Sequence, residues 1–178
     1  MHAVEIKMDP GVRREDDLIS LAFDVVQGKQ KCHPCLIEYS TSGSLHAWRS
    51  DPRGRLAEII VLDQFSRNIH RGTPRAFAQD AQALTLSQVA VQAGALDQLS
   101  EVERGFLLMP FMHSESRDIH AQAETLFKTH ASANTFEFER KHKAIVDRFG
   151  RYPHRNAILG RNSTDEEIEF LKRPGSGF

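Results

Sequence analysis

The sequence predicts an all-α protein that is an antiparallel stack of helices. Apolar residues recur at helical spacing in most segments, and no segment alternates apolar and polar residues as a half-buried strand does. Hairpin signals between apolar runs are also absent. The connections between the predicted helices are short, which favours antiparallel neighbours and a solenoid-type stack of helix pairs, although no clear repeat period is present.

Length and composition suit one compact domain, since the chain has 178 residues and a hydrophobic content of 40%. We expect residues 1–14 to be a loose N-terminal segment and residues 15–178 to form a single all-helical domain. The net charge of −1 gives no overall field that favours nucleic acid or a membrane surface. The N-terminus is charged and no apolar run is long enough to span a bilayer, so we expect a cytoplasmic protein.

Turn and cap residues set the limits of the first three predicted helices. Two acidic residues open the first, and Gly28 lies near its end. The second follows a DPRG turn and ends before Gly72. Thr73 and Pro74 suit the N-cap and first turn of the third helix, and Gly94 ends it. These helices are predicted over 16–30, 55–70 and 74–93, with an irregular segment over 31–47.

Two capping boxes and a proline set the limits of the later helices. Ser100 with Glu103, and Thr164 with Glu167, each place a hydroxyl before a helix and a glutamate three residues later. We expect Pro110 to end the helix that Ser100 opens, because proline lacks the backbone N–H that a helix interior needs. The later helices are predicted over 100–109, 115–130, 135–149 and 164–171, with an arginine-rich loop over 150–163.

The second predicted helix carries two opposite charges on an apolar face. Asp63 and Arg67 lie on the same face as Leu56 and Ile59, and apolar residues also cover much of the other side. The helix is therefore expected to be buried nearly all round. Because a lone buried charge is too costly, Asp63 and Arg67 are predicted to be buried and paired.

The same helical projection places further polar side chains on inward-facing stripes. Glu115 precedes the apolar stripe of helix 115–130, and His142 lies between Phe138 and Ile145 in the following helix. One interpretation is a cleft for general acid–base chemistry, since burial and neighbouring charges shift pKa values. The alternative is a buried polar network that joins helices. The candidate catalytic residues are Asp63, His113, Glu115 and His142.

Arginine and asparagine residues concentrate in two short stretches of a nearly neutral chain. Arginine presents a planar fork that suits a phosphate or a carboxylate, so one interpretation is a site for a small anionic ligand. The alternative is that these side chains cap helix C-termini and pair with acidic residues. Aromatic residues are not interleaved with the arginines, which disfavours nucleic acid. The candidate substrate-binding residues are Arg67, Asn68, Arg71, Arg151, Arg155, Asn156 and Arg161.

Metal and cofactor sites are disfavoured by the sequence. Cys32 and Cys35 form a CHPC motif, for which a redox or zinc role is weaker than that of two ordinary thiols, because no further ligands stand at suitable spacing. His120 and Glu124 are four residues apart but lie at the flank of an apolar stripe, so we expect a solvated pair. No phosphate-binding glycine loop is present, and we predict neither a metal nor a cofactor.

Five blocks of the chain follow one another as GSLHAW, RLAEIIVLDQFSRNIHRGTPRAFAQDAQAL, ERGFLLMPFMHSE, HKAIVDRFGRYPHRNAILGRNSTDEEIEFL and SGF. They cover most of residues 43–178 and resemble the bacterial domain of unknown function 924. The resemblance implies a tetratricopeptide-like, right-handed helical fold and no assigned activity. Ser66 stands where the family usually has proline. The signature polar positions of the family would here be Asp63, Gln64, Arg67, Asn68, Arg71, His113, Ser114, Glu115, His142, Arg151, Arg155, Asn156 and Arg161.

Two functional hypotheses follow from these residues. The first is an enzyme, a hydrolase or lyase, that acts on a small anionic metabolite held by arginines. The second is a non-catalytic helical module that binds a peptide or a protein partner in the groove of its stack. Polar side chains confined to a pocket favour the enzyme, whereas an open concave face lined by the same side chains favours the module.

Overall fold

A computed structural model of the chain describes Ile37, Ser40 and residues 45–177. Within that part of the chain the regular secondary structure is helical and no strand occurs, which confirms the predicted all-α class. The predicted helix over 16–30, the loose segment over 1–14 and the CHPC motif lie outside the described residues. The single-domain organisation and the tetratricopeptide-like stack stay predictions.

Helix α1 consists of Pro52–Ile60, a π-helical turn over Val61–Phe65 and a last α-helical turn over Ser66–Ile69. It is followed by α2 (Asp80–Gln92), α3 (Glu101–Met112), α4 (Arg117–His130), α5 (Ala133–Phe149) and α6 (Asp165–Leu171). Short 3-10 turns lie at His46–Ser50, Pro74–Phe77, Ala95–Gln98 and Pro153–Arg155. None of the helices in the described ranges is both long enough and apolar enough to cross a bilayer.

Helix α1 begins at Pro52, three residues before the predicted start. The Asp51 carboxylate caps it by accepting hydrogen bonds from the backbone N–H groups of Arg53 and Gly54, at 2.8 and 3.1 Å. Pro52 fits the first turn because its missing N–H would have no partner there. The expectation that this helix is buried nearly all round is confirmed. The nearly inaccessible side chains are Leu56, Ile59, Ile60, Val61, Leu62 and Phe65.

The core lies between α1 and the two helices that pack on it, α2 and α3. Helix α3 also packs on α4, and α4 packs on α5. Leu107, Phe111 and Phe127 fill the space between these helices. A smaller apolar cluster of Ile145, Val146 and Tyr152 joins α5 to the loop 150–164. Helix α1 is thus held between its neighbours, and its polar residues lie at the edge of the core.

Both predicted capping boxes are present, at Ser100 with Glu103 and at Thr164 with Glu167. The expectation that Pro110 ends a helix is wrong, because α3 continues through it to Met112. Pro110 is buried, so packing offsets the loss of one helical hydrogen bond near the helix end. The hydroxyl of Ser87 on α2 also donates a hydrogen bond to the Leu107 carbonyl of α3.

Three other local expectations need correction. The Thr73 hydroxyl does not cap a helix but donates to the His70 carbonyl at 2.8 Å, and a 3-10 turn separates it from α2. Helix α5 begins at Ala133 rather than residue 135, because the Ser132 hydroxyl accepts from the Thr135 N–H. Phe138 does not point into the core, since it is 43% exposed.

Candidate functional site

A cavity of about 700 Å³ lies between α1, α3, α5 and the loop 150–164. Its lining combines arginine, asparagine and histidine side chains with apolar ones. The polar lining residues are Gln64, Arg67, Asn68, Arg71, Asn134, Thr135, His113, His142, His154, Tyr152 and Arg155, and the apolar ones are Ala76, Phe77, Met109, Met112, Phe138 and Ile158, with Gly72 at the turn after α1.

Asp63 lies in the π-helical turn of α1 and is only 1% exposed. Its Oδ1 is 2.7 Å from Nδ1 of His113 and 3.2 Å from Nη2 of Arg67. Its Oδ2 accepts a hydrogen bond from the Gln64 side-chain amide at 2.5 Å. The prediction that Asp63 is buried and paired with Arg67 is confirmed, with the difference that the Arg67 side chain is only partly buried. The carboxylate binds His113 in addition, which makes an Asp–His pair beside the cavity.

A chain of alternating charges continues from Asp63 across the wall of the cavity. Arg67 Nη2 also lies 2.8 Å from Oδ1 of Asp80, and Nη1 of Arg155 lies 3.0 Å from the other oxygen of Asp80. The Arg155 guanidinium is 4.6 Å from the ring centres of both Phe77 and Tyr152. Burial raises the pKa of Asp80, and the two arginines oppose that rise. Arg67 and Arg155 are therefore fixed by carboxylates and, for Arg155, by two aromatic faces.

The environment of the Asp–His pair sets its protonation state. Burial alone would raise the pKa of Asp63, but His113, Arg67 and the Gln64 amide outweigh it and hold that pKa far below its usual range. Burial and the Arg67 charge lower the pKa of His113 more than Asp63 raises it. Near neutral pH the pair is thus a carboxylate and a neutral imidazole. Because a carboxylate can only accept, Nδ1 carries the proton and Nε2 carries the lone pair.

Two further histidines line the cavity in the neutral form. The rings of His113 and His142 are 6.4 Å apart, and Nδ1 of His142 lies 2.8 Å from the Phe138 carbonyl oxygen, to which it donates. Burial, opposed by that hydrogen bond, lowers the pKa of His142 to about 3. Burial and the charge of Arg155 lower the pKa of His154 to about 4. The three imidazoles therefore add no positive charge to the cavity at neutral pH.

The structure brings some of the predicted site residues into the cavity and holds others outside it. His113, His142, Arg67, Asn68, Arg71 and Arg155 line the cavity, and Asp63 lies behind it. Glu115 does not line it, because its carboxylate accepts from both terminal nitrogens of Arg161, at 2.6 and 2.9 Å. Arg151 also binds both oxygens of a carboxylate, donating from Nε and Nη2 to Glu167 at 2.6 and 2.8 Å. Asn156 connects the two pairs, through Arg161 and Glu167.

Comparisons with known proteins place the chain in a family. The family model described as a bacterial protein of unknown function, DUF924, matches residues 16–175. The chain belongs to the DUF924 family. A solved structure of a protein of unknown function from Agrobacterium tumefaciens is similar to it, with 30% sequence identity and a TM-score of 0.70, over 89% of this chain and 81% of that chain. No curated protein matches the sequence.

Several residues of this DUF924 chain that shape the site were not found by reasoning on single helices. Asp80 lies on α2, whereas Tyr152 and His154 lie on the loop 150–164, and no spacing within one helix connects them to Asp63. Tyr152 is fully buried, although it lies in a loop from which the sequence predicts only arginine and asparagine side chains at the site.

The expectation that His120 forms a solvated pair with Glu124 is wrong. His120 is fully buried, and its Nδ1 lies 2.7 Å from Oε1 of Glu139 on α5. The projection of α4 alone placed His120 at the flank because it did not include the neighbouring helix. Within the described part of this DUF924 chain, no group of three or more His, Cys, Asp or Glu side chains is placed to hold a metal ion.

Proposed function

We propose that the cavity binds a small carboxylate metabolite and that His113 acts on it as a general base, oriented by Asp63. The observation that carries the proposal is the 2.7 Å contact between Asp63 Oδ1 and His113 Nδ1 at the wall of a cavity. A buried carboxylate on one ring nitrogen selects the tautomer and leaves the other nitrogen basic. A neutral histidine can accept a proton at physiological pH, which an imidazolium cannot.

The charge balance of the cavity supports a ligand with one negative group. Arg67 and Arg155 are offset by Asp63 and Asp80, with which they share close contacts. Arg71 is exposed at the rim, and its guanidinium contacts the neutral amide oxygen of Asn68 at 3.3 Å. Arg71 therefore supplies the cavity's net positive charge, and Asn68 adds a neutral donor beside it. A singly charged carboxylate matches this balance better than a doubly charged phosphate does.

The apolar lining residues of the cavity support a ligand with a hydrocarbon or aromatic part. Met109, Met112 and Ile158 line it together with Phe77 and Phe138. Methionine side chains adapt to irregular apolar groups, and buried apolar surface contributes about 25 cal/mol for each Å² removed from water. The proposed ligand thus places its carboxylate at Arg71 and its apolar part against these side chains.

The reaction class follows from the groups around His113. Among the described residues that line the cavity there is no serine or cysteine, and the Thr135 and Tyr152 hydroxyls are engaged with the Ser132 hydroxyl and the Met112 carbonyl. A base without a protein nucleophile activates water or removes a proton from carbon, so we propose a hydrolase or a lyase. A second candidate is a non-catalytic peptide-binding module, which the 43% exposed Phe138 beside the cavity favours.

Ligand binding is tested by a thermal melt and isothermal titration with a panel of carboxylates of increasing apolar size. We expect the larger monocarboxylates to bind more tightly and Arg71→Ala to weaken binding about tenfold, because a charged hydrogen bond is lost. Arg75→Ala is the matched control, since Arg75 is exposed on the neighbouring turn and does not line the cavity. Equal affinities in the two variants, or no binding by the parent protein, would overturn the proposed ligand.

Catalysis is tested on any carboxylate that binds, by following its consumption with NMR. His113→Gln is expected to keep the affinity and to lower the rate about a hundredfold or more, because a general base is lost. A bound ligand that is not consumed by the parent protein, together with tight binding of a peptide C-terminus, would instead support the peptide-binding module.

A further inference from the structure

Three consecutive backbone carbonyls at the end of α3 each accept a hydrogen bond from a side chain. The Tyr152 hydroxyl donates to the Met112 carbonyl at 2.5 Å, and Arg155 Nη2 donates to the His113 carbonyl at 2.9 Å. His120 Nε2 lies 2.9 Å from the Ser114 carbonyl oxygen. The last carbonyls of a helix have no partner within the helix. Here three side chains from α4 and the loop 150–164 supply partners on both sides of His113 and at His113 itself.

Two of these donors belong to a buried polar chain that begins at Glu139. Oε1 of Glu139 lies 2.7 Å from Nδ1 of His120, and Nε2 of His120 lies 3.1 Å from the Tyr152 hydroxyl as well as near Ser114. Glu139, His120 and Tyr152 are all fully buried. His120 must donate through Nε2, because the Ser114 carbonyl can only accept. The neutral ring then has its lone pair on Nδ1, so Glu139 meets it as a protonated carboxyl that donates to Nδ1, in line with the burial that raises the pKa of Glu139.

We propose that His120 and Glu139 are positioning residues for His113. They would act through the backbone. His120 donates to the Ser114 carbonyl, and it also contacts the Tyr152 hydroxyl, which in turn donates to the Met112 carbonyl. This inference rests on the proposed role of His113 and adds the residues that keep its ring at Asp63. The groups that face the His113 ring are Asp63 and Arg67 on α1, Asp80 on α2 and His142 on α5, whereas Arg155 on the loop contacts its backbone carbonyl.

The physical reason lies in the distance in sequence between the members of the Asp–His pair. Asp63 is on α1, whereas His113 is the residue that ends α3. A frayed helix end moves by more than the few tenths of an ångström that separate a good hydrogen bond from a poor one. Pinning the carbonyls before and after His113 removes that freedom. Glu139 and His120 do not line the cavity, so their effect on His113 is indirect.

The test is histidine ¹⁵N NMR of the full chain without any ligand, which reports the tautomer of His113. In the parent protein we expect the Nδ1–H form of His113. In His120→Leu, which removes the contacts with Ser114, Tyr152 and Glu139 but keeps an apolar volume, we expect loss of that preference and a His113 pKa closer to that of an ordinary histidine. Glu139→Gln is expected to retain most of the preference, because an amide can still bind His120 Nδ1.

Ser87→Ala is the matched control, because it also removes a buried hydrogen bond from a side chain to a carbonyl of α3, but at Leu107. Its His113 tautomer is expected to stay as in the parent. If His120→Leu does not fold, Tyr152→Phe keeps the ring and removes the hydroxyl contacts with Met112 and His120 but leaves the His120 contact with Ser114, so a smaller loss is expected.

An unchanged His113 tautomer in the folded variant that is measured would overturn the positioning role. That result would not contradict carboxylate binding or turnover by the protein. Conversely, absence of binding or turnover would contradict the proposed function but not the NMR evidence for the positioning role.

Discussion

Asp63 is the residue on which most polar contacts of the cavity wall converge. Its carboxylate binds Arg67, His113 and the Gln64 amide while being almost inaccessible to water. Asp63→Ala leaves these donors without their shared acceptor in a buried place. We therefore expect the free energy of unfolding, measured by urea denaturation, to fall by about 3–5 kcal/mol.

Asp63→Asn is the control for that loss, because the amide has nearly the same volume and its oxygen can still accept from His113. We expect it to destabilise less than Asp63→Ala does, since only the charge and part of the hydrogen bonding are lost. If Asp63→Ala costs less than about 1 kcal/mol, the carboxylate does not hold the wall together as described.

At the scale of elements, α6 depends on its capping box. The Thr164 hydroxyl accepts from the Glu167 N–H at 3.2 Å, and the Glu167 carboxylate accepts from the Thr164 N–H and from Arg151. Thr164→Ala is expected to lower the free energy of unfolding by about 1 kcal/mol. Thr129→Ala is the matched control, because that hydroxyl is exposed within α4 and bonds only to the carbonyl of Thr125. Alanine suits a helix interior, so we expect no loss there. Equal losses in both variants would contradict a capping role.

Contacts within one helix could be predicted from the sequence, whereas contacts between elements could not. The burial of α1 and the Asp63–Arg67 pair followed from spacing within one helix, and both capping boxes followed from residues three positions apart. The Glu139–His120 pair and the contact of Arg155 with Asp80 join residues that are 19 and 75 positions apart. Such contacts depend on which helix faces which, and single-helix projection contains no information on that. Pro110 was misplaced for the same reason, since tertiary packing outweighed its local preference.

At the scale of the whole molecule, buried neutral histidines make stability depend on pH. The pKa of His142 is about 3 in the folded protein and about 6.5 in an unfolded chain. As the pH falls below about 6.5, His142 therefore binds a proton in the unfolded state while it is still neutral in the folded state. His142 contributes stability above that pH and loses it on acidification, by about 2 kcal/mol between pH 7.5 and 5. His154, with a pKa of about 4, acts in the same direction.

Urea denaturation at a series of pH values measures this dependence. We expect the parent protein to lose stability from about pH 6.5 downward, and His142→Gln to show a shallower fall over the same interval. His46→Gln is the control, because His46 is exposed and its replacement should leave the slope unchanged. Below about pH 4, the lowered pKa values of Asp63 and of Glu167, the latter about 2, add a further loss as these carboxylates are protonated. Parallel curves for the parent and His142→Gln would exclude His142 as the source.

The π-helical turn in α1 changes the direction in which side chains point, so residues before and after it face different parts of the molecule. A π turn holds about one residue more than an α-helical turn, and one residue corresponds to about 100° around the axis. Before the turn, Leu56 and Ile59 meet the core, and after it Arg67 and Arg71 reach the cavity. A variant that lacks one residue within Val61–Phe65 would form a regular α-helix in this segment. It would also rotate the cavity residues by about 100° relative to the core residues. Leu56 and Ile59 could then not pack in the core while Arg67 and Arg71 reach the cavity.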